Sequence, residues 1–355
     1  MEDELGSNQY HLACVGDESS PTPQNVARWL ESQPLQDFSI TADFGLGIDA
    51  ALGRLEDGDV DLIAVSASTW SQVKDVSRFT VAAALPRREE NHILVANDRI
   101  HKLEYKSVIL CKNKLQRRQL RRYRPDFRIL KPSAFADLIG RKAPENWGLE
   151  LQEWMEDLRS TKIITGYVTE RHLFTLGNID ARRHTLMTDS KEGSSRFIPS
   201  PFQGLTLLIS RPGFPPSIAT QIGDEESMTA WVCEDIIKKG LDCDLHDRVG
   251  VLVRYRQIPS LLNQADAEKD LLRSTSLLDS EGEIISEKSM VEMLIEVIDR
   301  KGGRTLLLER LSKKEDATIN ARIIVTDWNE MYQTVTDENE DDPRLGPARP
   351  PFLVE

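Results

Sequence analysis

The sequence predicts an α/β protein of three domains, two lobes with a cleft between them and a smaller α/β unit after them. Two observations lead there. Strand-like apolar runs alternate with amphipathic helical segments through two successive stretches of similar size, the pattern of parallel or mixed sheets covered by helices on both faces. After the linker Pro199-Ser200-Pro201 a further apolar run is followed by a third, shorter set of helix and strand segments.

The first apolar run, 11–15, reads as a strand. Thr22-Pro23 supplies an N-cap and a proline at the first helical position, and Val26, Ala27, Trp29 and Leu30 give the helix that follows an apolar stripe. Ile48, Ala51, Leu52 and Leu55 stand at helical spacing over 48–55, and that helix ends at Gly58. Strands are expected at 60–65, 79–85 and 92–96. The pattern then repeats, with a strand at 108–111, a basic helix over 115–123 stopped at Pro125, a strand at 127–130 and a helix over 133–139. A strand at 162–165 and a helix over 169–176, closed by Gly177, complete the second stretch.

Beyond the linker, 205–210 is a strand left at Pro212, and a helix over 225–239 ends at Gly240. Strands are expected at 249–255, 272–278 and 283–286, the last two joined through Ser280-Glu281-Gly282. A helix over 290–298, capped by Gly302-Gly303, and a strand at 321–326 complete the small third unit. Residues 337–355 are acidic and then proline-rich, the composition of a loose tail.

With 355 residues the chain is long enough for two or three separate cores. It is 39% hydrophobic and 29% charged, and its net charge of −13 argues against general binding to nucleic acid or anionic membrane. No apolar run approaches the roughly 20 residues of a membrane span, and the acidic N-terminus MEDELGSNQY lacks the basic and apolar regions of a signal peptide. Four cysteines at wide, unpatterned spacing fit a reduced cytoplasm.

The segment DGDVDLIAVSAST, 57–69, carries the most information about a site. Its buried strand opens into a polar turn, and ligands of open α/β sheets sit at that outgoing edge. The turn holds Ser66, Ala67, Ser68 and Thr69, with no acid, base or metal ligand, and no histidine at motif spacing to activate a hydroxyl. Lys112, Lys114, Arg117, Arg118, Arg121, Arg122 and Arg124 form the strong basic cluster. Arg117 with Arg121 and Arg118 with Arg122 stand at i,i+4, so one pair can face a cleft while the other faces solvent, or all can form a solvated face. A nucleic-acid patch lacks aromatic interleaving beyond Tyr123. Phe44-Gly45-Leu46-Gly47 offers backbone N–H groups before a helix but reads better as a tight turn. Cys243 and His246 make half a metal site with no second half, and no metal is expected.

Several segments, in order over roughly 10–310, resemble porphobilinogen deaminase, also called hydroxymethylbilane synthase. DGDVDLIAVSAS resembles that family's strand leading into its His-Ser-Leu-Lys-Asp turn, and FTVAAALPRREENHILVAND its pair of strands around a Pro-Arg-Arg-Glu element. QRRQLRRYRPDF resembles its arginine-rich helix ending in Arg-Pro-Asp. IPSPFQGLTLLI resembles its re-entry strand, and DEESMTAWVCEDIIKKGLDCDLHDRVGV its third-domain helix and cysteine loop.

The resemblance implies two periplasmic-binding-protein-like α/β lobes with a cleft plus a small C-terminal domain. The first lobe would be discontinuous, 9–97 and 196–213, the second 101–190 and the third 217–330. It further implies a monomeric transferase of tetrapyrrole biosynthesis that binds a carboxylated pyrrole and carries dipyrromethane on a cysteine thioether. Arginines would pair with the substrate's carboxylates as bidentate forks. Arg117 or Arg118 and Arg171, which opens the helix in TERHLF, fall near such positions. The family's catalytic Asp and the Lys before it fall on Thr69 and Ser68. Gapless alignment puts Leu245 at the cofactor cysteine, with Cys243 two residues earlier; its neighbours Asp242 and Asp244 would raise a thiol's pKa. Val15 or Gly16, and Glu150, stand where the family has cleft arginines. These departures imply the alternative of a catalytically inactive homologue that binds an anion or a pyrrole, or regulates.

Overall fold

A computed structural model describes residues 8–32, 38–144, 148–188, 196–279, 281–285 and 288–340. The first sheet is built from β1 (Asn8–Val15), β2 (Phe38–Leu46), β3 (Leu62–Ser66) and β4 (Thr80–Ala84), with helices α1 (Pro21–Ser32), α2 (Ile48–Asp57) and the single turn α3 (Ala67–Trp70) between them. The chain then crosses to a second sheet through β5 (Ile93–Ala96). There β6 (Val108–Cys111), β7 (Arg128–Leu130), β8 (Gly166–Thr169) and β9 (Arg183–Thr185) alternate with α4 (Lys114–Tyr123), α5 (Pro132–Leu138), α6 (Leu149–Ser160) and α7 (Arg171–Leu176). It returns to the first sheet as β10 (Thr206–Ser210).

The two sheets have the same plan. The first is ordered β2-β1-β3-β10-β4 and the second β7-β6-β8-β5-β9. In each, three parallel strands are followed by an antiparallel strand on the far side of a crossing: β10 against β3 and β5 against β8. Two chain segments, 85–92 and 186–205, therefore connect the lobes. Each sheet buries an apolar layer on both faces, which is why β3 and β8 are buried almost throughout.

After α8 (Pro216–Ile222) and α9 (Glu225–Gly240), the third domain has β11 (Val249–Gln257), α10 (Ile258–Glu268), α11 (Leu271–Ser276), β12 (Ser289–Ile298), β13 (Thr305–Ser312) and α12 (Ala317–Glu340). Its strands form an antiparallel sheet, β11-β12-β13. One face packs on α9 and α12 through Cys233, Ile237, Ala321, Ile324 and Trp328. The other face meets the crossing at Ile198, and Val251 N–H donates to Pro199 O at 3.0 Å.

One carboxylate ties both crossings to this domain. Glu234 of α9, fully buried, accepts from Arg87 Nη1 at 2.6 Å, from Phe202 N–H at 2.6 Å and from Val253 N–H at 3.0 Å. The crossings also touch each other. Gly204 sits at φ +77°, and a Cβ there would lie 2.2 Å from Arg88 O. Gly204→Ala is therefore expected to destabilise by about 1–3 kcal/mol or more through strain at that point, read as a lower midpoint in thermal melting.

Several sequence expectations are corrected here. Residues 290–298 form strand β12, not a helix, because pairing with β11 and β13 on both sides outweighs an ambiguous apolar run. Residues 321–326 lie within α12, where Ala317, Ala321, Ile324 and Trp328 form one buried helical face, overriding the β-branched run Ile323-Ile324-Val325-Thr326. Residues 272–278 are mainly α11, capped by the Asp270 side chain. The run 283–286 amounts to a single bridge, Leu278 with Ile284, and Ser286 lies outside the described residues. The strand expected at 162–165 begins at Gly166. The first residues of the expected tail, 337–340, continue α12, and 341–355 lie outside the described residues.

Candidate functional site

The cleft forms where the outgoing ends of the two sheets face each other. Gly58, in the left-handed conformation with its N–H on Arg54 O, stops α2 and turns the chain toward β3. At the far end of β3, Ser66 caps α3: its Oγ accepts from Thr69 N–H at 3.1 Å and lies 2.8 Å from Thr69 Oγ1 and 3.0 Å from Ser68 Oγ. The start of α1 and Thr206 of β10, bonded by Asn25 Nδ2 at 3.3 Å, complete the first-lobe wall. A cavity of 240 Å³ lies against this wall, and Glu170 reaches it from the second lobe.

A second cavity, of 390 Å³, lies against the second lobe. Its charged and polar lining includes His92, Lys112, Asn113, Gln152 and Glu170, with Asp247 from the third domain. Ser68, Glu170 and Gln203 line both cavities, so the two adjoin across these residues. Contacts span it at the edges. His172 Nε2 lies 3.0 Å from Ser19 O, and its Nδ1 lies 3.4 Å from Glu170 Oε2. Asn113 Nδ2 donates to Ser200 Oγ at 3.1 Å, and Lys114 Nζ to Asp247 Oδ2 at 2.8 Å.

The electrostatics differ between the walls. Burial pushes the His92 imidazole below the ordinary histidine range, opposed by the nearby Glu170 carboxylate. Burial likewise lowers the Lys112 ammonium, again opposed by Glu170. His92 is 8% exposed, and its buried Nδ1 has no hydrogen-bond partner among the described residues. No cluster of three or more His, Cys, Asp or Glu suited to a metal occurs among the described residues.

Of the residues singled out from sequence, Ser68 and Thr69 lie on the cleft. The basic helix α4 is engaged elsewhere. Arg117 donates to Cys111 O at 3.0 Å and Lys112 O at 2.5 Å. Arg118, buried, donates to Ile298 O of the third domain at 2.7 Å, and Arg122 pairs with Glu296 at 2.5 Å. Gln119 joins them, donating to Glu296 at 3.0 Å and to Ile198 O at 2.7 Å. Neither Arg117 nor Arg118 lines the cavities, and Arg171 is exposed on α7 outside both.

Cys243 is exposed on the turn Cys243–Leu245 and lines neither cavity, while Leu245 is buried in the third-domain core. Cys14, Cys111 and Cys233 are buried, and burial pushes each thiol up to about 12. A dipyrromethane held through sulfur needs an accessible thiolate at the cleft, and this set of cysteines does not fit one.

Glu170, His92 and Gln203 were not singled out from sequence. A signal existed for Glu170: it follows β8 as Ala67 follows β3, and the two strands hold the same place in their sheets.

No family model matches the chain, and no curated protein matches it. Among solved structures, the chain is similar to the ligand-binding component of an ABC-type import system from Staphylococcus aureus with zinc bound, at 12% identity over 91% of this chain and 92% of that one, with a TM-score of 0.31. It is also similar to an ABC transporter from Parabacteroides distasonis, at 13% identity over 98% and 99% of the two chains, with a TM-score of 0.37. The repeated strand order, with one strand exchanged at each crossing, defines the class: a periplasmic-binding-protein-like fold of two α/β lobes, with a third domain added.

Proposed function

We propose that this protein holds a small polar ligand in its interlobe cleft, on a three-domain plan resembling porphobilinogen deaminase, without hydroxymethylbilane synthase chemistry. The observation that carries this reading is the turn after β3. Ser66, Ser68 and Thr69 bond to one another where the resemblance expects a Lys-Asp pair. A hydroxyl does not act as a carboxylate base near neutral pH, and loss of a general acid/base typically costs about 10²–10⁴ in rate. Among the described residues no arginine lines either cavity to fork onto pyrrole carboxylates, and the lining cations are Lys112 and Lys114, the latter paired with Asp247.

Intact mass of the full chain, purified from cells that make porphobilinogen and then incubated with porphobilinogen, tests this. The unmodified mass and no porphyrin colour are expected. A covalent pyrrole adduct that disappears in Cys243→Ser would overturn the reading in favour of a working deaminase.

A further inference from the structure

We infer that the free edge of β4 takes an extended peptide segment as an added antiparallel strand, basic toward its N-terminal end and acidic toward its C-terminal end. The groove along this edge shares no lining residue with the two cleft cavities, and the inference stands independently of the function proposed above.

β4 closes one side of the first sheet and pairs with β10 alone. A cavity of 550 Å³ runs along its other side, and Thr80, Val81, Ala82, Ala83 and Ala84 all line it. Successive residues of a strand point to opposite faces, so a cavity touching every one of them lies along the edge. Two helices form its walls. α8 packs against one face of the sheet through Ile218 and Ile222, and α9 against the other through Met228 and Trp231. Ala219 and Thr220 of α8 and Met228 of α9 look onto the groove between them.

The backbone of this edge is open to a further strand. Leu85 N–H turns to Thr206 O beside β10, while Ala84 O turns outward and accepts from Asp224 N–H at 2.8 Å. The alternation of an antiparallel ladder turns the backbone of Ala82 outward as well. Ala82 also sits at a register shift, where no residue of β10 stands opposite it. Among the described residues, no backbone group outside β10 bonds to Thr80, Val81, Ala82 or Ala83. Asp224 thus makes the first bond of an added strand and leaves the rest of the edge to a partner. Main-chain bonds to such an edge give affinity, and the alanines let another backbone approach.

Charge sets the direction. Asp224 and Glu225 line the Ala84 end of the groove, with Glu226 next to them in α9. Lys314 pairs with Glu225. Even so, burial and the Asp224 and Glu225 carboxylates push the Glu226 carboxyl above its ordinary range, so negative charge prevails at this end. Arg211 lines the Thr80 end, with Asp61 Oδ1 3.9 Å from its Nη2. A strand antiparallel to β4 begins beside Asp224 and ends beside Arg211, so a base early and an acid late in the partner are complementary.

Fluorescence anisotropy on the full chain at pH 7 tests this with dye-labelled Lys-Ala-Val-Ala-Glu, the reversed Glu-Ala-Val-Ala-Lys, and the first peptide with alternate backbone amides N-methylated. The first is expected to bind about fivefold or more tightly than the reversed sequence, through two exposed ion pairs gained and two like-charge contacts avoided. N-methylation removes the donors of the added strand and is expected to weaken binding about tenfold or more. Glu225→Lys is expected to erase the preference between the two sequences. Thr220→Trp fills the groove from the exposed side of α8 and is expected to abolish binding with circular dichroism unchanged. Equal affinity for the N-methylated or the reversed peptide, no binding by any of them, or unaltered binding in folded Thr220→Trp would each overturn the inference. A dimer in sedimentation that Thr220→Trp dissolves would assign the edge to a second copy of this chain and overturn it as well.

Discussion

Glu234→Ala is expected to lower the unfolding free energy by about 3–5 kcal/mol, the cost typical of breaking a buried charge pair from one side. The substitution removes the acceptor for two buried backbone N–H groups, Phe202 and Val253, at once. It also takes from Arg87 its nearer carboxylate, 2.6 Å from Nη1, and leaves only Glu90 at 3.7 Å from Nε. Arg87 would keep its bonds to Gln203 O and Val253 O, at 2.9 and 3.1 Å, but the carboxylate that neutralises its buried Nη1 would be gone. Glu234→Gln keeps one carbonyl acceptor and turns an amide donor toward a donor, so an intermediate loss is expected. Urea denaturation measures both, as a lower midpoint at unchanged slope. A midpoint equal to that of the parent protein would show that the tie contributes little.

Glu292→Gln is expected to cost a similar amount at pH 7, about 3–5 kcal/mol, and to change the acid limb of stability. Glu292, 1% exposed on β12, faces Arg254 Nε at 2.7 Å, Arg273 Nη2 at 2.9 Å and Arg256 Nη1 at 3.3 Å. Burial pushes its carboxyl up, but the Arg254, Arg256 and Arg273 guanidinium groups outweigh burial and hold it below the usual range. With the folded value below the unfolded one, the stabilisation is complete above the unfolded pKa of about 4.3 and is lost as pH falls below it toward the folded value. Denaturation midpoints between pH 3 and 7 should therefore fall less steeply in Glu292→Gln than in the parent chain. Parallel curves would mean that another carboxylate governs the acid limb.

The alternation of elements in the two lobes was legible because each rested on a local signal. The α2–Gly58–β3 passage shows this: a helical stripe, a left-handed glycine and a continuous apolar run stand side by side in sequence. The third domain was harder. In β12, Glu292 and Glu296 stand four apart and mimic the polar face of a helix, yet both are buried against arginines from other elements. Edge strand β2 went unread although a signal existed: Phe38, Ile40, Ala42, Phe44 and Leu46 alternate with Ser39, Thr41, Asp43 and Gly45, the pattern of a half-buried strand. Part of the cleft was legible as well: the outgoing edge of β3 pointed to Ser68 and Thr69. The basic helix misdirected attention for a physical reason. Nothing local distinguishes an arginine that meets a ligand from one that meets a backbone carbonyl far along the chain, and Arg118 to Ile298 spans 180 positions.

The Glu234 tie bears on time as well as on shape. Both connections between the lobes are fastened to a third body, through Glu234 and through Val251 to Pro199. Widening the cleft means breaking these fastenings together, in place of a free swing about two loose strands. For the cleft ligand proposed above, departure is then expected to depend on the third domain, which reaches the cleft through Asp247 and, by way of Glu234, through Phe202. Residence time of that proposed ligand is expected to shorten when the buried carboxylate of α9 is removed.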